Sequence, residues 1–142
     1  MEKMKVFLDS SVIISYFRDE RDVAKLFSKR VLEKVQFVIN PIVYQEIILV
    51  MNRIDYKIDL EELGDFVKVV QIDKTKKDAY LEKMRELRNL MVHTNDILVL
   101  QSAMSESDYL LTLDNQLLEI GEIDSLRILS PSAFWDLLEG RQ

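Results

Sequence analysis

Four acidic residues, Asp9, Glu46, Asp96 and Asp114, occupy positions that a solvated surface does not explain. Asp9 follows the apolar run Met4-Lys5-Val6-Phe7-Leu8 and Asp114 follows Tyr109-Leu110-Leu111-Thr112-Leu113, so each ends a β-type segment. In open α/β sheets, ligands bind at the carboxyl ends of strands, near the point where strand order reverses. Glu46 has Ile42, Val43, Leu49 and Val50 three and four residues away, which on a helix surrounds it with apolar side chains. Asp96 opens a helical segment in which Val99, Leu100 and Ala103 lie three, four and seven residues on, placing it toward the core or a cleft. Asp55, Asp59, Glu61, Glu62 and Asp65, by contrast, cluster with polar residues as ordinary surface.

Two carboxylates about 4 Å apart repel by roughly 4 kcal/mol at an effective dielectric of about 20. A group of four therefore calls for a cation or for raised pKa values. With no Cys and one His in the chain, the donors are hard oxygens, which suit Mg²⁺ or Mn²⁺ rather than zinc. Such an ion can orient water, lower its pKa and stabilise the charge that develops on a phosphodiester. Each acid taken singly also has a structural account. Asp9 could cap the helix after its strand, Glu46 could sit on a helix edge, and Asp96 could complement a helix dipole. Asp114-Asn115 could be a strand-to-helix turn. Their joint occurrence is what points to a site.

The elements that must position these acids alternate along the chain. A strand at 4–8 leads to a helical turn from Val12 to Phe17, with Ser10 and Ser11 offering hydroxyl caps. Val23, Leu26, Phe27 and Val31 suggest a second helix. Gln36–Ile39 reads as a strand, and Asn40-Pro41 as a helix start with Asn as N-cap. A short helix around Leu60, Leu63 and Phe66 precedes a strand from Val67 to Ile72, and a long helix is expected from about Thr75 to Met91 with Asp73 as its cap. The helix opening at Asp96, capped by Thr94 or Asn95, leads to a strand ending at Asp114. Arg127-Ile128-Leu129 suggests a fifth strand, and Ser130-Pro131 starts a last helix. Strands alternating with helices imply a parallel sheet covered on both faces, since every parallel connection needs a crossover.

At 142 residues the chain fits a single domain spanning 1–142, and no linker, repeat or low-complexity tract divides it. The first residues lack the apolar run of a signal peptide and no segment reaches the length of a membrane span, which reads as a cytoplasmic protein. A net charge of −6 argues against binding nucleic acid mainly through a basic surface. Cations at the site or a local basic patch would offset it. The most basic stretch, from Lys74 to Arg88, is interleaved with Asp78, Glu82 and Glu86 as on a solvated helix face. A lone His93 is more often structural than functional.

Val6-Phe7-Leu8-Asp9-Ser10-Ser11-Val12-Ile13, Tyr44-Gln45-Glu46-Ile47, His93-Thr94-Asn95-Asp96-Ile97-Leu98 and Leu111-Thr112-Leu113-Asp114 resemble the four acidic motifs of PIN domains, in the family's order and at similar separations. The likeness spans nearly the whole chain. It implies a three-layer α/β/α fold around a five-stranded parallel sheet, in which the first and fourth strands are neighbours and bring Asp9 beside Asp114. It also implies Mg²⁺- or Mn²⁺-dependent cleavage of single-stranded RNA, as in the VapC-type toxins of toxin–antitoxin pairs. In that reading Asp9, Asp96 and Asp114 ligate the ion, Glu46 helps directly or through water, and Ser11 positions the attacking water. A cognate antitoxin and a homodimer are the partners expected.

The rivals are a PIN-fold module that binds without turnover and a PIN nuclease acting in RNA processing. A haloacid-dehalogenase-like phosphatase wants a second aspartate where Ser11 stands, and a response-regulator receiver leaves Glu46 unexplained.

Overall fold

The computed structural model describes residues 2–19, 23–57, 59–72, 74–87 and 94–140. Its first strand, β1 (Met4–Leu8), lies parallel to β2 (Val35–Ile39) on one side and to β4 (Tyr109–Leu111) on the other. Outside β2 comes β3 (Val67–Val69), and outside β4 come β6 (Leu126–Leu129) and then β5 (Glu122–Ile123), giving the order β3-β2-β1-β4-β6-β5. Chain order thus runs one way from β1 to β3 and the other way from β1 to β4, so strand order reverses between β1 and β4. Val6, Phe7 and Leu8 are all fully buried. Successive strand residues face opposite sides, so the sheet must be covered on both. This is the α/β sandwich expected, with the chain forming one core.

The sixth strand was not expected. β5 is two residues long and pairs antiparallel with β6 through a turn in which Asp124 has φ 53°. So short a strand carries no periodicity, and its pairing is fixed by the turn. The other five strands are parallel, as alternation with helices required.

Helices form where the caps and stripes demand. α1 (Ser10–Phe17) begins directly after Asp9. The expected helix over Val23–Val31 is instead a 3₁₀ turn (Ala24–Phe27) and the single turn α2 (Lys29–Leu32), because Ser28 between them is extended, with ψ 155°. Asn40 caps α3 (Pro41–Arg53) by accepting the Val43 N–H at 2.9 Å, with Pro41 at the first helical position where its missing donor costs nothing. α4 (Leu60–Phe66) runs into β3, which ends at Val69 rather than Ile72. A 3₁₀ turn (Lys74–Lys76) opens the segment expected as one long helix, and α5 (Lys77–Leu87) continues it. Asp73 and the end of that segment lie outside the described residues. α6 (Thr94–Glu106), α7 (Asn115–Ile120) and α8 (Pro131–Leu138) complete the chain.

An aromatic cluster fixes α1 relative to the sheet. Tyr16, Phe27, Phe37 and Phe66 stack with ring centroids 4.5 to 5.2 Å apart, the spacing of favourable edge and tilted contacts. Tyr16 also donates to Glu62 Oε1 at 2.7 Å, which pushes its hydroxyl pKa up to about 12. No described helix is long and apolar enough to cross a membrane.

Candidate active site at the carboxyl ends of β1 and β4

β1 and β4 end level with each other, Leu8 opposite Leu111, and the Asp9 N–H continues the ladder to the Leu111 carbonyl at 3.0 Å. The next residues out are therefore Asp9 on one strand and Thr112 on the other. Asp9 is buried, 6% exposed. It stands at the N-cap of α1 with extended backbone, yet its side chain caps nothing. Asp9 Oδ2 instead accepts the Ser11 hydroxyl at 2.9 Å and the Thr112 hydroxyl at 2.7 Å. The serines expected as caps are likewise turned to acids, since Ser10 Oγ donates to Glu46 Oε2 at 3.2 Å.

Each hydroxyl on Asp9 is itself held from behind. Thr112 Oγ1 accepts the Asp114 N–H at 3.0 Å, and Ser11 Oγ accepts the Leu113 N–H at 3.0 Å. The backbone leaving β4 thus reaches the Asp9 carboxylate through two hydroxyl relays. Asp114 caps α7 with Oδ1 on the Gln116 N–H at 2.9 Å, so the turn-residue reading accounts for one of its oxygens.

Burial is the main reason the Asp9 pKa is raised, and the charge of Asp114 adds to it. The Thr112 and Ser11 hydroxyls and the Ser10 N–H oppose that shift by stabilising the carboxylate. The Glu46 pKa is raised first by burial, then by the charge of Asp9, and also by that of Asp96, against the Ser10 hydrogen bond. All four acids are therefore linked through space, Asp114 to Asp9, Asp9 to Glu46 and Glu46 to Asp96. Packing of α1 on α3 carries Glu46 to this end of the sheet. A buried bond from Asn40 Nδ2 to Ser102 Oγ, 2.9 Å, ties the start of α3 to α6, whose first turn holds Asp96.

The donor chemistry fits a hard divalent cation: the acids offer carboxylate oxygens, and burial, with the neighbouring carboxylate charges adding to it, raises the pKa of Asp9 and Glu46. Among the described residues no three such groups stand close enough together to form a ready ligand set.

The structure brings all five sequence-derived residues, Asp9, Ser11, Glu46, Asp96 and Asp114, to one end of the sheet. Ser11 spends its hydroxyl hydrogen on Asp9 and one lone pair on Leu113, and because the Thr112 hydroxyl 3.5 Å away gives its own hydrogen to Asp9, one lone pair is left for a further donor. Sequence reasoning missed Thr112 and Ser10. Thr112 is the one polar residue in its apolar run and stands two before Asp114, which strand alternation places on the same side. His93 and Arg88 lie outside the described residues, as do the Thr94 and Asn95 side chains. Asp78, Glu82 and Arg85 on α5 are exposed, the solvated face that the interleaved charges suggested.

The family model for the PIN domain matches residues 6–123. Two solved structures share the fold. One is the crystal structure of VapBC2 from Rickettsia felis bound to a DNA fragment from their promoter, with TM-score 0.69 and 16% identity over 88% of this chain and 97% of that chain. The other is VapBC-1 from nontypeable Haemophilus influenzae, with TM-score 0.66 and 20% identity over 91% of this chain and 99% of that one. No curated protein matches the sequence.

Proposed function

Since the chain belongs to the PIN-domain family, whose model covers most of its length, we propose that it is a metal-dependent endoribonuclease acting on single-stranded RNA. The observation that carries this reading is the buried Asp9 carboxylate, held by the Ser11 and Thr112 hydroxyls where strand order reverses between β1 and β4, with Glu46 brought beside it by the Ser10 hydroxyl. Asp9, Asp96 and Asp114 would hold Mg²⁺ or Mn²⁺, with Glu46 contributing directly or through water. When bound, such an ion supplies Lewis-acid stabilisation of the phosphodiester's developing charge.

The chain's own groups do the positioning. Ser11 and Thr112 hold Asp9 in one orientation and favour its ionised form. Ser11 keeps a lone pair that can accept a hydrogen from the attacking water and align it with the scissile bond. In-line attack by that water on phosphorus breaks the bond to O3′, which leaves with a proton. The products are a 5′-phosphate and a 3′-hydroxyl.

The fold shared with two VapBC structures supports a finer reading, the toxin of a toxin–antitoxin pair with a cognate antitoxin; a homodimer is proposed with it. An RNA-processing nuclease is the alternative role for the same site.

The test is cleavage of single-stranded RNA by the purified protein with Mn²⁺ or Mg²⁺, with Asp9→Asn as control. Metal-dependent cutting that the variant lacks supports the reading. A thermal shift with Mn²⁺ but no cutting of any single-stranded RNA would favour the binding module.

A further inference from the structure

Asp9 and Ser10 are consecutive, yet their side chains serve different neighbours. β1 lies between β2 and β4, so the chain leaving it has the exit of β4 on one side and α3, which follows β2, on the other. Asp9 and Ser11 turn to the β4 side, where Thr112 and Leu113 bond to them. Ser10 turns to the α3 side and donates to Glu46 Oε2 at 3.2 Å, across 36 residues of sequence.

Nothing in the helix start requires this of Ser10. A serine at a helix N-terminus ordinarily accepts a backbone N–H from the first turn of its own helix. Here Asp9 occupies the N-cap, and Ser10 is the first helical residue, 7% exposed, on a helix that packs on α3. For packing alone alanine would serve and would bury no polar group. A buried hydroxyl without a partner costs free energy. Among the described residues Glu46 is the one partner that the Ser10 hydroxyl has.

Glu46 in turn needs holding. It is half-buried on a long side chain with much rotamer freedom to lose, and the charges of Asp9 and Asp96 both oppose its own. Unrestrained, such a carboxylate swings away from its like-charged neighbours or takes up a proton. Among the described residues the Ser10 hydroxyl is the one influence on Glu46 that favours the ionised form.

We propose that Ser10 is a positioning residue for the catalytic ion: it anchors Oε2 of Glu46 and so aims Oε1 at the space shared with Asp9 and Asp96. No hydrogen bond from a described residue reaches Oε1, which leaves that oxygen for the ion or for one of its waters. Ser10 acts through Glu46 and touches neither ion nor substrate. The same residue also steadies the first acid, because its backbone N–H stabilises the Asp9 carboxylate. The proposal rests on the metal-dependent reading of the site.

The test reads Mn²⁺ binding directly, by calorimetric titration of the full chain with no RNA present. Ser10→Ala should weaken Mn²⁺ about tenfold, the equilibrium equivalent of one hydrogen bond to a charged group. Ser10→Cys, similar in shape but a weak donor, should change affinity in the same direction, and Ser10→Thr, which keeps the hydroxyl, should bind as wild type does. Ser15→Ala, which removes another buried hydroxyl from α1, should leave affinity unchanged. In a Glu46→Gln background, which already lacks the carboxylate, Ser10→Ala should cost nothing further, whereas a general loosening of α1 would add its own cost. Thermal melts in chelator establish that each variant folds, and should Ser10→Ala fail to, Ser10→Cys carries the same comparison. The proposal is overturned if the Ser10 variants bind Mn²⁺ like wild type, or if their cost persists in full in the Glu46→Gln background. A wild-type chain that binds no Mn²⁺ overturns the metal-dependent reading and this proposal together, whereas wild-type binding that the Ser10 variants retain overturns this proposal alone.

Discussion

A hydrogen bond of 2.7 Å from Thr112 to Asp9 joins residues 103 positions apart, and the same hydroxyl accepts the Asp114 N–H. One side chain thereby sets the orientation of the first acid and the backbone of the fourth. Asp9 and Asp114 are neighbours because β1 and β4 pair, but they are held in register with each other by Thr112.

Replacing Thr112 with valine keeps the shape and removes the hydroxyl. A buried carboxylate loses a donor and the Asp114 N–H loses its acceptor, a cost of about 1 to 3 kcal/mol. The Asp9 pKa should rise further, because the hydroxyl is the largest influence opposing burial. The acid limb of the pH–activity profile should therefore move to higher pH. Thr112→Ser should restore both stability and profile, and chemical denaturation with a pH series reads both.

Asp9→Asn should abolish activity yet raise the melting midpoint at neutral pH. Burial lifts the pKa of Asp9 above its ordinary 3.8, so the folded protein holds that proton more tightly than the unfolded chain. Stability then falls as pH rises from the ordinary value through the raised one, and above that window the ionised carboxylate opposes folding. The carboxamide removes the charge and keeps an oxygen for the two hydroxyls. Its gain should shrink as pH falls toward 3.8. A variant less stable than wild type at neutral pH would contradict the assigned burial cost.

Mn²⁺ should raise the wild-type melting midpoint, because an ion held only by the native state stabilises it by about 2.7 kcal/mol at a hundred times its dissociation constant. Asp9→Asn and Asp114→Asn should each lose most of that shift. Calorimetric scans with and without chelator decide it, and an unchanged shift in both variants would place the ion elsewhere.

Asn40→Ala removes a cap and a buried link together. The Val43 N–H loses its acceptor and the Ser102 hydroxyl its donor, in a spot with no solvent access. A cap alone is worth about 1 kcal/mol and an unsatisfied buried group a further 1 to 3 kcal/mol. Asn40→Asp should recover the cap but not the donor to Ser102. Activity should fall with either variant if α3 and α6 must be tied for Glu46 and Asp96 to face each other, and kinetics under folding conditions would separate this from lost stability.

Local rules made much of this protein legible in advance. Asp9 and Asp114 stand where apolar runs stop, and Glu46 stands out because its helical neighbours are apolar. Asn40-Pro41 and Ser130-Pro131 announce helix starts, and both caps form. These signals lie within a few residues of what they describe, and backbone geometry obeys short-range sterics and hydrogen bonding.

Other features depended on partners far along the chain. That Ser28 would split one helix into two turns, or that two residues at 122–123 would form a strand, follows from packing and a tight turn rather than from periodicity. The roles of Ser10, Ser11 and Thr112 were decided by tertiary structure as well. A hydroxyl can cap a helix, bind water or brace a carboxylate with nearly equal ease. Which it does depends on the nearest acceptor, and for Thr112 that acceptor is on a strand 103 residues away. The sequence by itself determined which acids end strands or sit among apolar neighbours. Only the fold, by pairing β1 with β4 and packing α1 on α3, decided that they share one electrostatic environment, because charge coupling and hydrogen bonding act over distance in space and not along the chain.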